Sequence, residues 1–301
     1  MLGADLVPTY LLETDQGGEL QAFAVDDKYL DIPQYDTMPM EDAPMDTGDR
    51  AGDRAGDRAQ GLSSTLLGSV AASAEGEAHM AEKVLFHFDP RCPWCWQTSR
   101  WAVQLERLGE IEIDWGVFSL EVVNQKEGEE LTNPVSGPAL RTAIVIRDTH
   151  GRAAIGPFYT ALGRQLWDQV PPPRPEGMVE AVREALVEAG LEPELVDKAM
   201  ADESTWQAVV DEHRDLVDRV GGFGVPTIVL DGGKGPAIFG PVVADLPTDE
   251  DAVELWKHTT WLVRYDNFYE LKRNRDRQPD LPAMAWMMEQ RRKRAEEAAQ
   301  S

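Results

Sequence analysis

The run Val84-Leu85-Phe86-His87-Phe88 is almost wholly apolar and is closed by Asp89-Pro90, which predicts a strand buried on both faces. The period then changes. Trp94, Thr98, Trp101, Leu105 and Leu108 recur at three- and four-residue steps and Gly109 supplies a left-handed stop, so a helix is predicted to begin beside Cys92. Ile111, Ile113, Trp115 and Val117 alternate with Glu112, Asp114 and Gly116, the pattern of a strand with one solvated face. Strand, helix and strand in this order imply a parallel pair joined by a right-handed crossover.

Helical spacing dominates the chain from there to Gly221. Pro157 opens a stretch with Phe158, Leu162 and Leu166 on one face, and Met178, Val182 and Leu186 mark another, ended by Gly190. Between them Pro171-Pro172-Pro173 enforces an extended link. Ser204 with Gln207 reads as a capping box for a helix running through Trp206, Val210, His213 and Val217 to Gly221. Strand character returns at Thr227–Leu230, turns through Asp231–Gly235 and resumes at Ala237–Phe239, a hairpin. Thr248 then caps a helix carrying Ala252, Leu255, Trp256, Thr259 and Leu262.

The expected class is therefore α/β: a thioredoxin-like fold with an all-helical insertion between the second and third strands. The expected division is an acidic N-terminal extension without fixed structure (1–80), a first half-fold (81–134), the insertion (135–221), a second half-fold (222–282) and a flexible or helical tail (283–301).

Charge narrows the partners. With 301 residues and a net charge of -25, the surface repels phosphate backbones, so nucleic acid is not expected. No run of about 18 apolar residues exists, so no membrane span is expected either. The 2 cysteines give no framework for an oxidising compartment, which points to the cytoplasm. The tract Gly48-Asp49-Arg50-Ala51 recurs at Gly52 and Gly56 within a segment rich in Asp, Gly, Ala and Ser, the composition of a disordered chain. Leu62 to Ala74 is too interrupted by Ser and Gly for an export signal. Met80 directly precedes the first strand, so the working protein is expected to start there, the upstream stretch being either absent from it or a dispensable tail.

The chemistry lies in Cys92-Pro93-Trp94-Cys95. At a helix N-terminus Cys92 is expected to be the nucleophile, its pKa lowered by unpaired amides and the helix dipole. Pro93 fits the first turn, and Cys95, one turn on, is placed to attack a mixed disulfide. A structural disulfide would close too short a loop to matter, and zinc lacks further ligands, since His79, His87, His150, His213 and His258 show no paired spacing. No metal is expected. Val225-Pro226 opens the third strand; a cis bond there would present the Val225 backbone beside Cys92 for a substrate segment to pair with. Trp94 is expected to contact substrate, and Trp96 and Trp101 to pack. His87 and Asp89 are candidates for proton transfer, weighed against a core histidine and a turn residue. The basic run Lys272, Arg273, Arg275, Arg277 is expected to be solvated surface, and the stretch from Met284 to Arg294 a frayed tail or an interfacial helix.

The stretches Phe88-Asp89-Pro90, Cys92-Pro93-Trp94-Cys95-Trp96 and Thr98-Ser99-Arg100-Trp101, with Phe239-Gly240-Pro241-Val242, Leu255-Trp256 and Phe268 to Arg273, resemble the DsbA-like oxidoreductases of mycothiol-producing bacteria that include mycothiol-dependent nitroreductases. The likeness spans roughly Lys83 to Pro282, with Val225 where the family has Thr. It implies a thiol-disulfide oxidoreductase of DsbA type, with no tightly bound cofactor, mycothiol as co-substrate, and a small-molecule or protein disulfide or a nitroaromatic compound as acceptor. A homodimer is allowed. The alternatives are a relative of kappa-type glutathione transferases and isomerases, which typically carry Ser at the nucleophile position, and a non-catalytic redox-sensing interaction module.

Overall fold

The computed structural model describes residues 10–14, 20–24, 80–125, 131, 134–272, 275 and 277–300. The chain divides into Met1–His79 and Met80–Ser301. In the first unit β1 (Tyr10–Thr14) pairs antiparallel with β2 (Leu20–Ala24). The Gly-Asp-Arg repeats and Leu62 to Ala74 lie outside the described residues.

The second unit is built on β3 (Glu82–Phe88), α1 (Pro93–Arg107) and β4 (Ile111–Val117). The strands pair in parallel with Phe86 opposite Trp115 and His87 opposite Gly116, as the crossover rule requires. Because side chains alternate along a strand, Phe86, Phe88 and Trp115 share one face, where Phe86 and Phe88 meet Trp115 and the Phe88 and Trp115 rings meet Tyr159. His87 points to the other face. A Cβ on Gly116 would lie 2.6 Å from the His87 ring, so only glycine lets the imidazole lie flat there. The sheet order is β4-β3-β5-β6, with β5 (Thr227–Val229) antiparallel to β3 and to β6 (Ala237–Phe239). Leu230, predicted as strand, already belongs to the turn, where Asp231, Gly232 and Gly233 take positive φ of 52°, 62° and 86°.

Between β4 and β5 the chain forms α2 (Leu120–Val123) and then, within the insertion, α3 (Gly137–His150), α4 (Ile155–Gly163), α5 (Met178–Glu188), α6 (Leu195–Ala201) and α7 (Ser204–Val220). A π-helical turn, Arg164–Asp168, prolongs α4. The capping box does not form. Ser204 donates its amide to the Asp202 carboxylate instead, and Gln207 reaches Asp211. Asp202 wins the Ser204 amide because an ionised carboxylate is a stronger acceptor than the Gln207 side-chain carbonyl. From α7, the Glu212 carboxylate accepts hydrogen bonds from Arg147, Arg152 and the Val117 amide, locking the insertion to β4.

Thr248 caps α8 (Asp249–Val263) through the Asp251 amide, and Trp256 of that helix meets Trp101 edge-on at 6.0 Å. The tail forms α9 (Pro282–Gln300). It is neither frayed nor interfacial at its start: Leu281 and Ala283 are buried, and Met284 and Met287 pack on the core. No described helix is long and apolar enough to cross a membrane.

Two core histidines make stability depend on pH. Burial lowers His87 and His213 from the ordinary 6.5 to about 4, and the unprotonated His213 Nδ1 accepts the Ser119 amide at 3.4 Å. The unfolded chain therefore binds protons that the folded chain refuses as pH falls from 6.5 towards 4, and stability is lost across that window. Asp89, raised by burial from 3.8 to about 6, works the other way, since the folded state holds its proton more tightly. Two groups against one leave a net loss. Tm is expected to fall between pH 6.5 and about 4.5, and His213→Asn, which keeps an acceptor for Ser119, should show a shallower fall in the same melts.

Candidate active site

The site begins with the way β3 hands over to α1. Asp89 is buried and its carboxylate accepts the Arg91 amide at 2.9 Å and the Leu120 amide at 2.8 Å, so one side chain forms the turn and ties it to the exit of β4. The Trp167 indole donates to the Pro90 carbonyl at 2.9 Å from the opposite side. Cys92 comes next as the N-cap of α1, with φ -87° and ψ 109°, and its Sγ accepts the Cys95 amide at 3.3 Å. Pro93 occupies the first helical position.

Across from the helix end, the Val225-Pro226 bond is cis, and the Cys92 thiol donates to the Val225 carbonyl at 3.6 Å. Cys95 lies one turn deeper, fully buried, with its thiol directed at the His87 carbonyl at 3.8 Å. The two sulfurs are not bonded to each other. The structure thus brings together Cys92, Pro93, Trp94, Cys95, Val225, Pro226 and Asp89. His87 joins them only through its backbone; its imidazole faces Glu212, Arg152 and Arg219 on the far side of the sheet.

The thiol's ionisation departs from the sequence expectation. Burial pushes Cys92 up to about 12, and the Asp89 carboxylate adds to it, against the Cys95 and Trp94 amides and the Arg275 charge, which pull it down. The helix end does act as predicted, but Cys92 is only 8 % exposed, and loss of water outweighs the amides. Cys95 is pushed well above the ordinary thiol range by burial and then by Cys92.

Trp96 and Trp101 pack, as expected, with their indole N–H groups on Asp168 and the Ala252 carbonyl. Arg100 lies 3.9 Å from the Trp96 ring centroid and donates to Thr160. A Cβ at Gly163 would collide with the Trp96 ring, so α4 can approach α1 only with glycine there.

Tyr159 escaped the sequence analysis. It stacks on Phe88 at 4.0 Å, is fully buried, and has no well-formed hydrogen bond on its hydroxyl, and after burial Cys95 is the group that acts on it most strongly. Its signal was the pair Phe158-Tyr159 one turn after Ile155: two adjacent aromatics cannot share a helix face, so one had to leave the predicted stripe. A neutral hydroxyl there can donate to a Cys95 thiolate as it forms. Tyr159→Phe leaves no partner orphaned, so Tm is expected to hold or rise while the release of a mixed disulfide slows roughly tenfold in stopped-flow chase experiments.

A family model described as Rv2466c-like, mycothiol-dependent nitroreductase Rv2466c, matches residues 91–273. Uncharacterized protein Rv2286c of Mycobacterium tuberculosis is 32% identical over 192 residues, covering 62% of this chain and 80% of that one. Among solved structures, a probable DsbA oxidoreductase, SCO1869, from Streptomyces coelicolor aligns with a TM-score of 0.42 at 18% identity, over 65% of this chain and 94% of its own. The cytosolic disulfide reductase DsbM from Pseudomonas aeruginosa, solved with GSH, aligns with a TM-score of 0.40 at 15% identity, over 60% and 100%.

Proposed function

The chain belongs to the Rv2466c-like family of mycothiol-dependent nitroreductases, and from that premise we propose that it is a thiol-disulfide oxidoreductase working through Cys92 and Cys95, with mycothiol as its reductant. The observation that carries this reading is the placement of the Cys92 sulfur at the helix N-cap, 3.6 Å from the Val225 carbonyl, with the Cys95 thiol one turn behind it. The Cys92 thiolate attacks one sulfur of a disulfide acceptor; the S–S bond breaks, and its electron pair leaves on the departing sulfur, which takes a proton from solvent. Cys95 then loses its proton and attacks Cys92, expelling the second half of the acceptor as a thiol. The enzyme is left with an intramolecular disulfide, having given up two electrons. Two mycothiol molecules restore the dithiol and leave as mycothiol disulfide.

Val225 and Pro226 would line the acceptor site, the Val225 backbone pairing with an extended segment, and Trp94 would form its other wall. Asp89 is suited to proton movement, since burial raises it to about 6, near working pH. A nitroaromatic compound is the second class of acceptor that the family description suggests, taking the same two electrons. A mycothiol-dependent reaction suits the reducing cytoplasm.

Mycothiol-driven reduction of a model disulfide is expected for the parent protein and should fall to background in Cys92→Ser. Cys95→Ser is expected to accumulate a mixed disulfide between Cys92 and one half of the model disulfide, read by intact mass before mycothiol is added. Stoichiometric oxidation without turnover in the parent would overturn the enzymatic reading in favour of a redox-sensing module.

A further inference from the structure

The basic run near the C-terminus contains one residue that is not ordinary solvated surface. Arg275 is half-buried, with its guanidinium 5.0 Å from the centroid of the Trp94 ring, the residue between the two cysteines. Arg277, by contrast, pairs with Asp245. Arg275 has no carboxylate partner among the described residues, and instead of reaching into solvent it lies half-buried against an indole. A guanidinium on an indole face keeps its charge while losing part of its water, which makes its field felt further.

We propose that Arg275, held against the Trp94 ring, is the cation that stabilises the Cys92 thiolate. The groups around Cys92 leave that role open. Its own helix end offers the Trp94 and Cys95 amides, the preceding loop offers the Asp89 carboxylate, which opposes ionisation, and the interior offers the Cys95 thiol and the Tyr159 hydroxyl. Arg275 is a full positive charge that favours ionisation of Cys92, and it comes from a segment far along the chain. As the thiol proton leaves to solvent, the new negative charge on Sγ forms within the field of a guanidinium that no carboxylate among the described residues neutralises. Burial then strengthens the pair that it otherwise penalises. Trp94 thereby has a second task, that of positioning Arg275.

This rests on the proposed thiol chemistry and deepens it, but its test needs neither mycothiol nor turnover. In a Cys95→Ser background, alkylation of Cys92 by iodoacetamide is followed from about pH 6 to 10. Arg275→Gln is expected to slow alkylation about tenfold near neutral pH and to move the whole profile about one unit higher, with Arg275→Lys recovering most of the rate. Raising salt to about 0.5 M should slow the Arg275 protein towards the glutamine variant and leave that variant unchanged. Far-UV circular dichroism and Tm report whether each variant is folded. A glutamine profile that superposes on the parent overturns the proposal, as does a slowing that neither lysine rescues nor salt reproduces.

Discussion

The turn between β3 and α1 is held by groups that belong to neither element. Asp89 reaches forward to its own turn at Arg91 and across to Leu120 at the exit of β4, while Trp167 grips the Pro90 carbonyl from the insertion. These bonds satisfy backbone groups that burial would otherwise leave unpaired, at about 1–3 kcal/mol each. They also fix where α1 starts. Because the helix starts at Pro93, Cys92 becomes the cap whose sulfur meets the Cys95 amide on one side and the Val225 carbonyl on the other.

The same bonds set an electrostatic conflict. A buried carboxylate beside two buried thiols is poor company for a thiolate, and all three groups favour their neutral forms: Asp89 is raised to about 6, Cys92 to about 12 and Cys95 well beyond the usual range. The closed site stores its sulfurs as thiols. Reactivity then depends on what enters or on what charge is held nearby, not on the helix end alone. Such an arrangement shields a nucleophile from indiscriminate oxidation until an acceptor displaces its contacts.

Much of this was legible in the linear chain. The switch from a buried run to helical spacing located β3 and α1 and therefore the cap position of Cys92, because period and stop residues are local properties. The motif and the proline at 226 pointed to the facing loop. Ionisation was not legible, since a sequence displays amides and charges but not the water that packing removes. Tyr159 and Arg100 were missed for a related reason: their places arise when α4 closes on α1 at Gly163, a contact between segments about 60 residues apart. Arg275 read as one charge in a basic run because its meeting with Trp94 is equally non-local. The tail misled in the opposite sense, its charges hiding an apolar edge at Leu281, Ala283, Met284 and Met287.

That edge has a mechanical meaning. Helix α9 packs against the π-helical turn Arg164–Asp168, whose Trp167 holds Pro90 and whose Asp168 holds Trp96. The last helix is therefore in series with the turn ahead of Cys92, like a wedge driven behind a hinge. Residues that look like trimmable overhang in the linear chain bear on the site, and a protein shortened at that end would lose the backing for the very turn on which its sulfur sits.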